Sequence, residues 1–170
     1  VGRAGALPEI WTYGHRNAQA LAFDSAGVLW SAEHGPRHGD ELNRIEAGHD
    51  YGWPRVSFGH EYTGGAVGSG FTTDSANTPP VWVWTPAIAP SDMIVYSGRR
   101  FSNWRGSLLT TSLNSRRHLN RTTWDGDRIV GEERIGSGAF GRLRSIVEGV
   151  DGAVYLGNDA GQILRLRPRE

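Results

Sequence analysis

Apolar and polar side chains alternate with a period of two along most of this chain, and no long stretch repeats with the period of a helix. Ala20-Leu21-Ala22-Phe23 and Val28-Leu29-Trp30 flank the turn Asp24-Ser25-Ala26-Gly27, which predicts two strands within residues 20–32 and a glycine at the φ > 0 position that a hairpin needs. The design returns over residues 144–156, with Asp151-Gly152 where Ala26-Gly27 stood. A looser third copy runs from 91–97 through a loop at 98–106 to 107–113. Strands are further predicted at 118–124 and 128–135 around Asp125-Gly126, at Val81-Trp82-Val83-Trp84, and at 161–167 beside the 153–156 strand. Glu9-Ile10-Trp11-Thr12-Tyr13 alternates as well and predicts a short strand ahead of Gly14.

Antiparallel units of roughly 40 to 60 residues around hairpin turns predict an all-β chain built of propeller blades. Residues 57–80, rich in Gly, Thr, Ser and Asn, read as one long loop. Thr85-Pro86-Ala87-Ile88-Ala89-Pro90-Ser91 reads as the crossing to the next blade.

Composition sharpens the chemistry more than the fold. The 18 basic residues are all Arg and balance 18 acidic ones, a neutrality that argues against a general nucleic-acid or membrane-surface binder. With no Lys and no Cys, Schiff-base chemistry, thiolate ligands and disulfides are excluded. No apolar run approaches the about 20 residues of a membrane span, and no signal peptide is visible. The chain opens at Val1 with a loop-like stretch over residues 2–8, which reads as a start in mid-chain.

Polar, tight-turn residues are densest between Gly14 and Pro54. Arg16, Asn17 and Gln19 offer a cation and two amides, suited to a ligand rich in carboxylate or carbonyl oxygens; the plainer reading is a turn whose amides satisfy backbone groups. His34, His38, Asp40 and His49 invite a transition metal, but Gly35, Pro36 and Gly39 break any helix that would align them, and scattered surface histidines are the plainer account. Gly35-Pro36 has a second use, because such a turn can present backbone carbonyls to a hard cation such as Ca²⁺. Arg142-Leu143-Arg144 places two guanidiniums on one side of a strand start, a compact clamp for an anion if they are not simply solvated.

Taken in order, Gly14-His15-Arg16-Asn17-Ala18-Gln19, Glu33-His34-Gly35-Pro36 with Gly39-Asp40-Glu41-Leu42-Asn43, Tyr51-Gly52-Trp53-Pro54, Pro86-Ala87-Ile88-Ala89-Pro90-Ser91 and Arg142-Leu143-Arg144 resemble the soluble quinoprotein sugar dehydrogenases, the family of aldose sugar, soluble glucose and sorbosone dehydrogenase-like proteins. The resemblance spans nearly the whole chain and implies the C-terminal part, about three blades of four-stranded antiparallel sheets, of a single six-bladed β-propeller domain, with residues 1–170 lying within it. It implies pyrroloquinoline quinone (PQQ) and Ca²⁺ as cofactors. Arg16, Asn17 and Gln19 would line the quinone and sugar pocket, the Gly35 and Pro36 carbonyls would bind Ca²⁺, and Asp40 and Glu41 would support that loop. Arg142 and Arg144 would pair with the PQQ carboxylates.

There are departures. Ala18 and Ala20 stand where the family has Pro and Gly, and Asn114 falls where several members carry a Lys that contacts PQQ. The general-base His belongs to the family's N-terminal half, so no catalytic residue is expected here; His15 reads as a structural neighbour of Arg16. The implied activity is oxidation of an aldose at its anomeric carbon to a lactone, with electrons passed to an acceptor, in a periplasmic or secreted protein. The fragment alone is expected to be inactive and to require the missing half or self-association. The competing reading is a non-catalytic propeller that binds a protein or a carbohydrate.

Overall fold

The computed structural model describes residues 5–114 and 116–168, so the first part of the loop-like opening and Ser115 lie outside the described residues. The strands are β1 (Ala18–Phe23), β2 (Leu29–Glu33), β3 (Asp40–Ile45), β4 (Trp82–Trp84), β5 (Pro90–Val95), β6 (Leu108–Ser112), β7 (Leu119–Asp125), β8 (Arg128–Ile135), β9 (Leu143–Glu148), β10 (Val154–Asn158) and β11 (Ile163–Arg165). They form three antiparallel sheets ordered β1-β2-β3-β4, β5-β6-β7-β8 and β9-β10-β11. A short 3₁₀ turn at Ser102–Trp104 lies in the loop before β6, and no α-helix occurs among the described residues.

The hairpin reading holds at both copies of the repeat: Gly27 (φ 80°) closes β1–β2 and Gly152 (φ 75°) lies in the turn between β9 and β10, where a residue with a Cβ would be strained. Two expectations need correction. Residues 9–13 are not a strand; the segment lies along the 46–53 loop, through bonds such as Gly48 N–H to the Trp11 carbonyl at 2.8 Å and Tyr51 N–H to the Tyr13 carbonyl at 2.9 Å, so its backbone groups pair with a loop and not with a sheet edge. The third sheet has three strands among the described residues rather than four.

The first strands of the sheets, β1, β5 and β9, lie side by side, and two cores separate the three sheets. Ala20, Trp30, Ala32, Leu42, Trp84, Ile88, Met93 and Leu108 fill the first. Tyr96, Leu109, Leu119, Leu143, Ile146, Val154 and Leu156 fill the second. Because successive strand residues point to opposite faces, Leu108 and Leu109 of β6 enter different cores, and each burial contributes about 2 kcal/mol. Polar ties cross the same gaps: the Trp84 indole N–H donates to Asn120 Oδ1 at 3.1 Å, the Ile146 N–H to Asp92 Oδ2 at 2.9 Å, and the Tyr96 hydroxyl to the Gly152 carbonyl at 2.6 Å. The outer faces carry exposed apolar side chains, Leu21 (63%) and Phe23 (69%) on β1 and Val147 and Ile163 on the third sheet.

Candidate functional site

Strand direction brings the singled-out residues to one end of the three sheets. β1 starts, β2 ends and β3 starts there; so do β5, β6, β7 and β9 at Pro90, Ser112, Leu119 and Leu143, and the β10–β11 turn lies there too.

Glu33, the last residue of β2 and almost wholly buried, organises the first part of this end. Its Oε2 accepts the backbone N–H of Arg16 at 2.8 Å and of Asn17 at 3.3 Å, while Oε1 accepts His15 Nδ1 at 3.0 Å and the Asn43 amide at 2.8 Å. The acidic end of an apolar strand was visible in the sequence, but nothing in one dimension showed that four donors converge on it. Asn17 and Gln19 are exposed and bonded to each other, the Gln19 amide donating to Asn17 Oδ1 at 2.6 Å, rather than satisfying backbone groups. Arg16 donates from Nη1 to the His34 carbonyl at 3.3 Å, and its guanidinium lies 5.4 Å from the Trp53 ring centroid.

Gly35 and Pro36 are buried, and neither carbonyl accepts a hydrogen bond from the described residues. A Cβ on Gly35 would collide with the carbonyl oxygens of His38 and Gly39, so the loop closes this tightly only with glycine. Asp40 spans it: Oδ1 accepts the Gly35 N–H at 3.1 Å and Oδ2 accepts the Ala89 N–H at 2.6 Å. Burial raises the Asp40 carboxyl above its ordinary range and pushes Glu41 up to about 8, the second helped by Glu33 directly opposite on β2. Glu33, Gly35 and Glu41 line a cavity of about 20 Å³, room for a single water or ion. A larger groove of about 830 Å³ lies between the first two sheets at their other end, lined by Trp30, Trp124, Arg105 and Arg128, away from every residue singled out above.

The histidines do not form a metal cluster: no group of three or more His, Asp or Glu side chains suited to a metal occurs among the described residues. His34 is half-buried, its Nε2 bonded to the Pro90 carbonyl at 2.6 Å, and His49 Nδ1 bonds Thr78 Oγ1 at 2.8 Å. His15 has both ring nitrogens engaged, with Glu33 and with Thr12 Oγ1 at 2.9 Å, and its ring stacks on Tyr51 at 4.5 Å, which leaves no nitrogen for a substrate proton.

The 85–91 crossing connects the two halves of the site. Ala89 takes a left-handed conformation (φ 52°), unusual for a residue with a side chain, which lets its N–H reach Asp40 and its carbonyl accept Leu113 N–H at 2.9 Å. Asn114 donates to the Ala87 carbonyl at 2.8 Å, and its Oδ1 accepts from Ser112 Oγ and the Arg116 N–H, so its side chain closes its own turn. From the Leu113 carbonyl the path continues to Arg142 Nε at 3.1 Å. Arg142 and Arg144 are neither dispersed in solvent nor empty-handed. Both bind Asp159, a residue that no motif in the sequence singled out: Arg142 Nη1 at 3.0 Å, Arg144 Nη2 at 3.2 Å, and Arg144 Nε to the second oxygen.

Sheets stacked through their first strands, with a polar loop cluster at one end, define a partial β-propeller. The chain matches the glucose/sorbosone dehydrogenase family over residues 1–165 and belongs to it. The aldose sugar dehydrogenase YliI of Escherichia coli is 34% identical over 173 residues, covering 99% of this chain and 46% of that protein. A crystal structure of a glucose dehydrogenase superposes with a TM-score of 0.92 at 38% identity over 99% of this chain and 50% of that one. The PQQ-bound aldose sugar dehydrogenase of Streptomyces coelicolor superposes with a TM-score of 0.67 at 28% identity over 88% of this chain and 39% of that one. This chain spans less than half the length of the curated relatives it matches nearly end to end.

Proposed function

We propose that residues 1–170 form part of one propeller domain of a PQQ- and Ca²⁺-dependent dehydrogenase that oxidises the anomeric carbon of aldoses to lactones. The observation that carries this reading is the pair of buried, donor-free carbonyls of Gly35 and Pro36, in a loop whose Gly35 lines one cavity with Arg16, at the same sheet end as the Arg142–Arg144 pair. Carbonyl oxygens suit a hard cation, and paired guanidiniums suit a polycarboxylate, so the donor set fits both groups.

When bound, PQQ with Ca²⁺ supplies the two-electron acceptor. The chain's own residues would do the holding: Asp40 fixes the Gly35 loop, Glu33 fixes Arg16 and Asn17 with Gln19 beside them, and Arg142 and Arg144, gathered by Asp159, would bind the cofactor carboxylates with Asn114 in the neighbouring turn. Glu41 supports the cation loop from β3. With both nitrogens of His15 engaged, the proton from the sugar hydroxyl goes to a His contributed by residues outside this chain. The protein is periplasmic or secreted and hands its electrons to a separate acceptor.

The test is PQQ uptake by the full-length apoprotein, followed by absorbance, with aldose-dependent dye reduction as a second readout. Uptake should require Ca²⁺ and be lost to a chelator, and residues 1–170 alone should give no turnover. Failure of the full-length protein to take up PQQ would overturn the reading and leave the non-catalytic binding module.

A further inference from the structure

Two arginines two residues apart at the start of β9 carry like charges on long, flexible stems, and side chains 44% and 52% exposed have no packing to hold them parallel. In this chain they are nevertheless held against one carboxylate. We propose that Asp159 is a positioning residue: it sets the spacing and direction of the Arg142 and Arg144 guanidiniums so that their remaining donors meet a carboxylate edge of the cofactor. This inference rests on the quinone reading above.

Asp159 suits that task because its own position is fixed. Its N–H donates to the Arg142 carbonyl at 3.0 Å, so the turn is tied to the strand that bears the clamp. Asn158 Oδ1 accepts the N–H groups of Ala160 at 3.1 Å and Gln162 at 3.0 Å and fixes the turn from the other side. The carboxylate shares Oδ2 between Arg142 Nη1 and Arg144 Nη2 and gives Oδ1 to Arg144 Nε. Arg142 is pinned a second time, by Nε to the Leu113 carbonyl just past the end of β6. The hydrogen bond from Arg144, with the charges of Arg144 and Arg142 behind it, holds the Asp159 carboxyl below its ordinary range, so it stays an acceptor. Two cations and one anion leave one positive charge and several unused N–H donors, which a second carboxylate can complete without first ordering two free side chains. In Asp159→Asn the amide N–H₂ would face a guanidinium donor, and the pair would separate.

The experiment uses the full-length protein as wild type, Asp159→Asn and Asp159→Glu. PQQ dissociation constants are measured by absorbance at saturating Ca²⁺, and exchange of the arginine Nε–H signals is followed by NMR without cofactor. Asp159→Asn should weaken PQQ at least tenfold while the Ca²⁺ midpoint and thermal midpoint stay at wild-type values, and Asp159→Glu should recover most of the loss. The Arg144 Nε–H signal, slow to exchange in wild type, should become fast in Asp159→Asn. Unchanged PQQ affinity in Asp159→Asn overturns the inference, and tighter binding overturns it by showing that Asp159 competes with the cofactor. A wild type that takes up no PQQ overturns the proposed function itself, a different result from undiminished uptake by the variant.

Discussion

Glu33 and His15 meet at 3.0 Å, carboxylate oxygen to Nδ1, and this contact joins the end of β2 to the segment that leads into β1. A carboxylate only accepts, so Nδ1 carries the proton and the imidazole is fixed in orientation. Glu33 therefore stands to Arg16 and Asn17 as a buried anchor, and its loss leaves two backbone N–H groups, an imidazole and an amide without their acceptor. Glu33→Ala should lower unfolding free energy by about 2 to 4 kcal/mol in denaturant titrations.

His118 gives the pH prediction. It is fully buried and neither ring nitrogen has a hydrogen-bond partner among the described residues. Burial, with Arg134 and Arg116 nearby, pushes its folded pKa down to about 4, against an ordinary value of 6.5. Between those values the unfolded chain binds a proton that the folded chain refuses. The neutral imidazole's share of stability is thus complete above pH 6.5 and is lost as pH falls towards 4. His118→Leu should be at least as stable as wild type at pH 7, with its advantage growing down to pH 5; parallel stability curves would show that His118 does not titrate in this way.

Gly35 has no space for a methyl group against the His38 and Gly39 carbonyls. Gly35→Ala should force the loop open and, in the full-length protein, weaken Ca²⁺ at least tenfold by calorimetry. Retained affinity would mean that the cation does not depend on this loop.

The Trp84–Asn120 bond is a buried polar contact between the first two sheets. Trp84→Phe keeps most of the apolar volume but leaves Asn120 Oδ1 without its donor, a loss of about 1 to 3 kcal/mol. Chemical denaturation of the single variant reads this loss directly, because Asn120 keeps its other bond, from Nδ2 to Glu132 Oε2 at 2.7 Å; unchanged stability would mean that the indole N–H contributes nothing net.

The all-β fold and most strand positions were legible because alternation and Asp-Gly turns are local signals. Leu108 beside Leu109 departs from that alternation: β6 is apolar on consecutive positions because both of its faces are covered. The Glu9-to-Tyr13 pattern is the reverse case and misled: it alternates, yet it lies along a loop instead of entering a sheet. The candidate site could be read as motifs and not as geometry. Arg142 and Arg144 could be placed on one face by counting, but Asp159 approaches from a different strand pair, and no spacing rule announces that. Asn114 is similar, since only the fold reveals that its amide reaches back to Ala87.

Asp40 touches Gly35 with one oxygen and Ala89 with the other, and Ala89 belongs to the crossing that enters the second sheet. The carbonyl loop is therefore a gauge of the angle between the first two sheets: neither can tilt against the other without pulling on that carboxylate. Defects in the Trp84–Ile88 layer, though they touch no ligand, should be read out at Gly35 and Pro36 as a change in grip on a cation, and an ion held there should in turn stiffen the seam between the sheets.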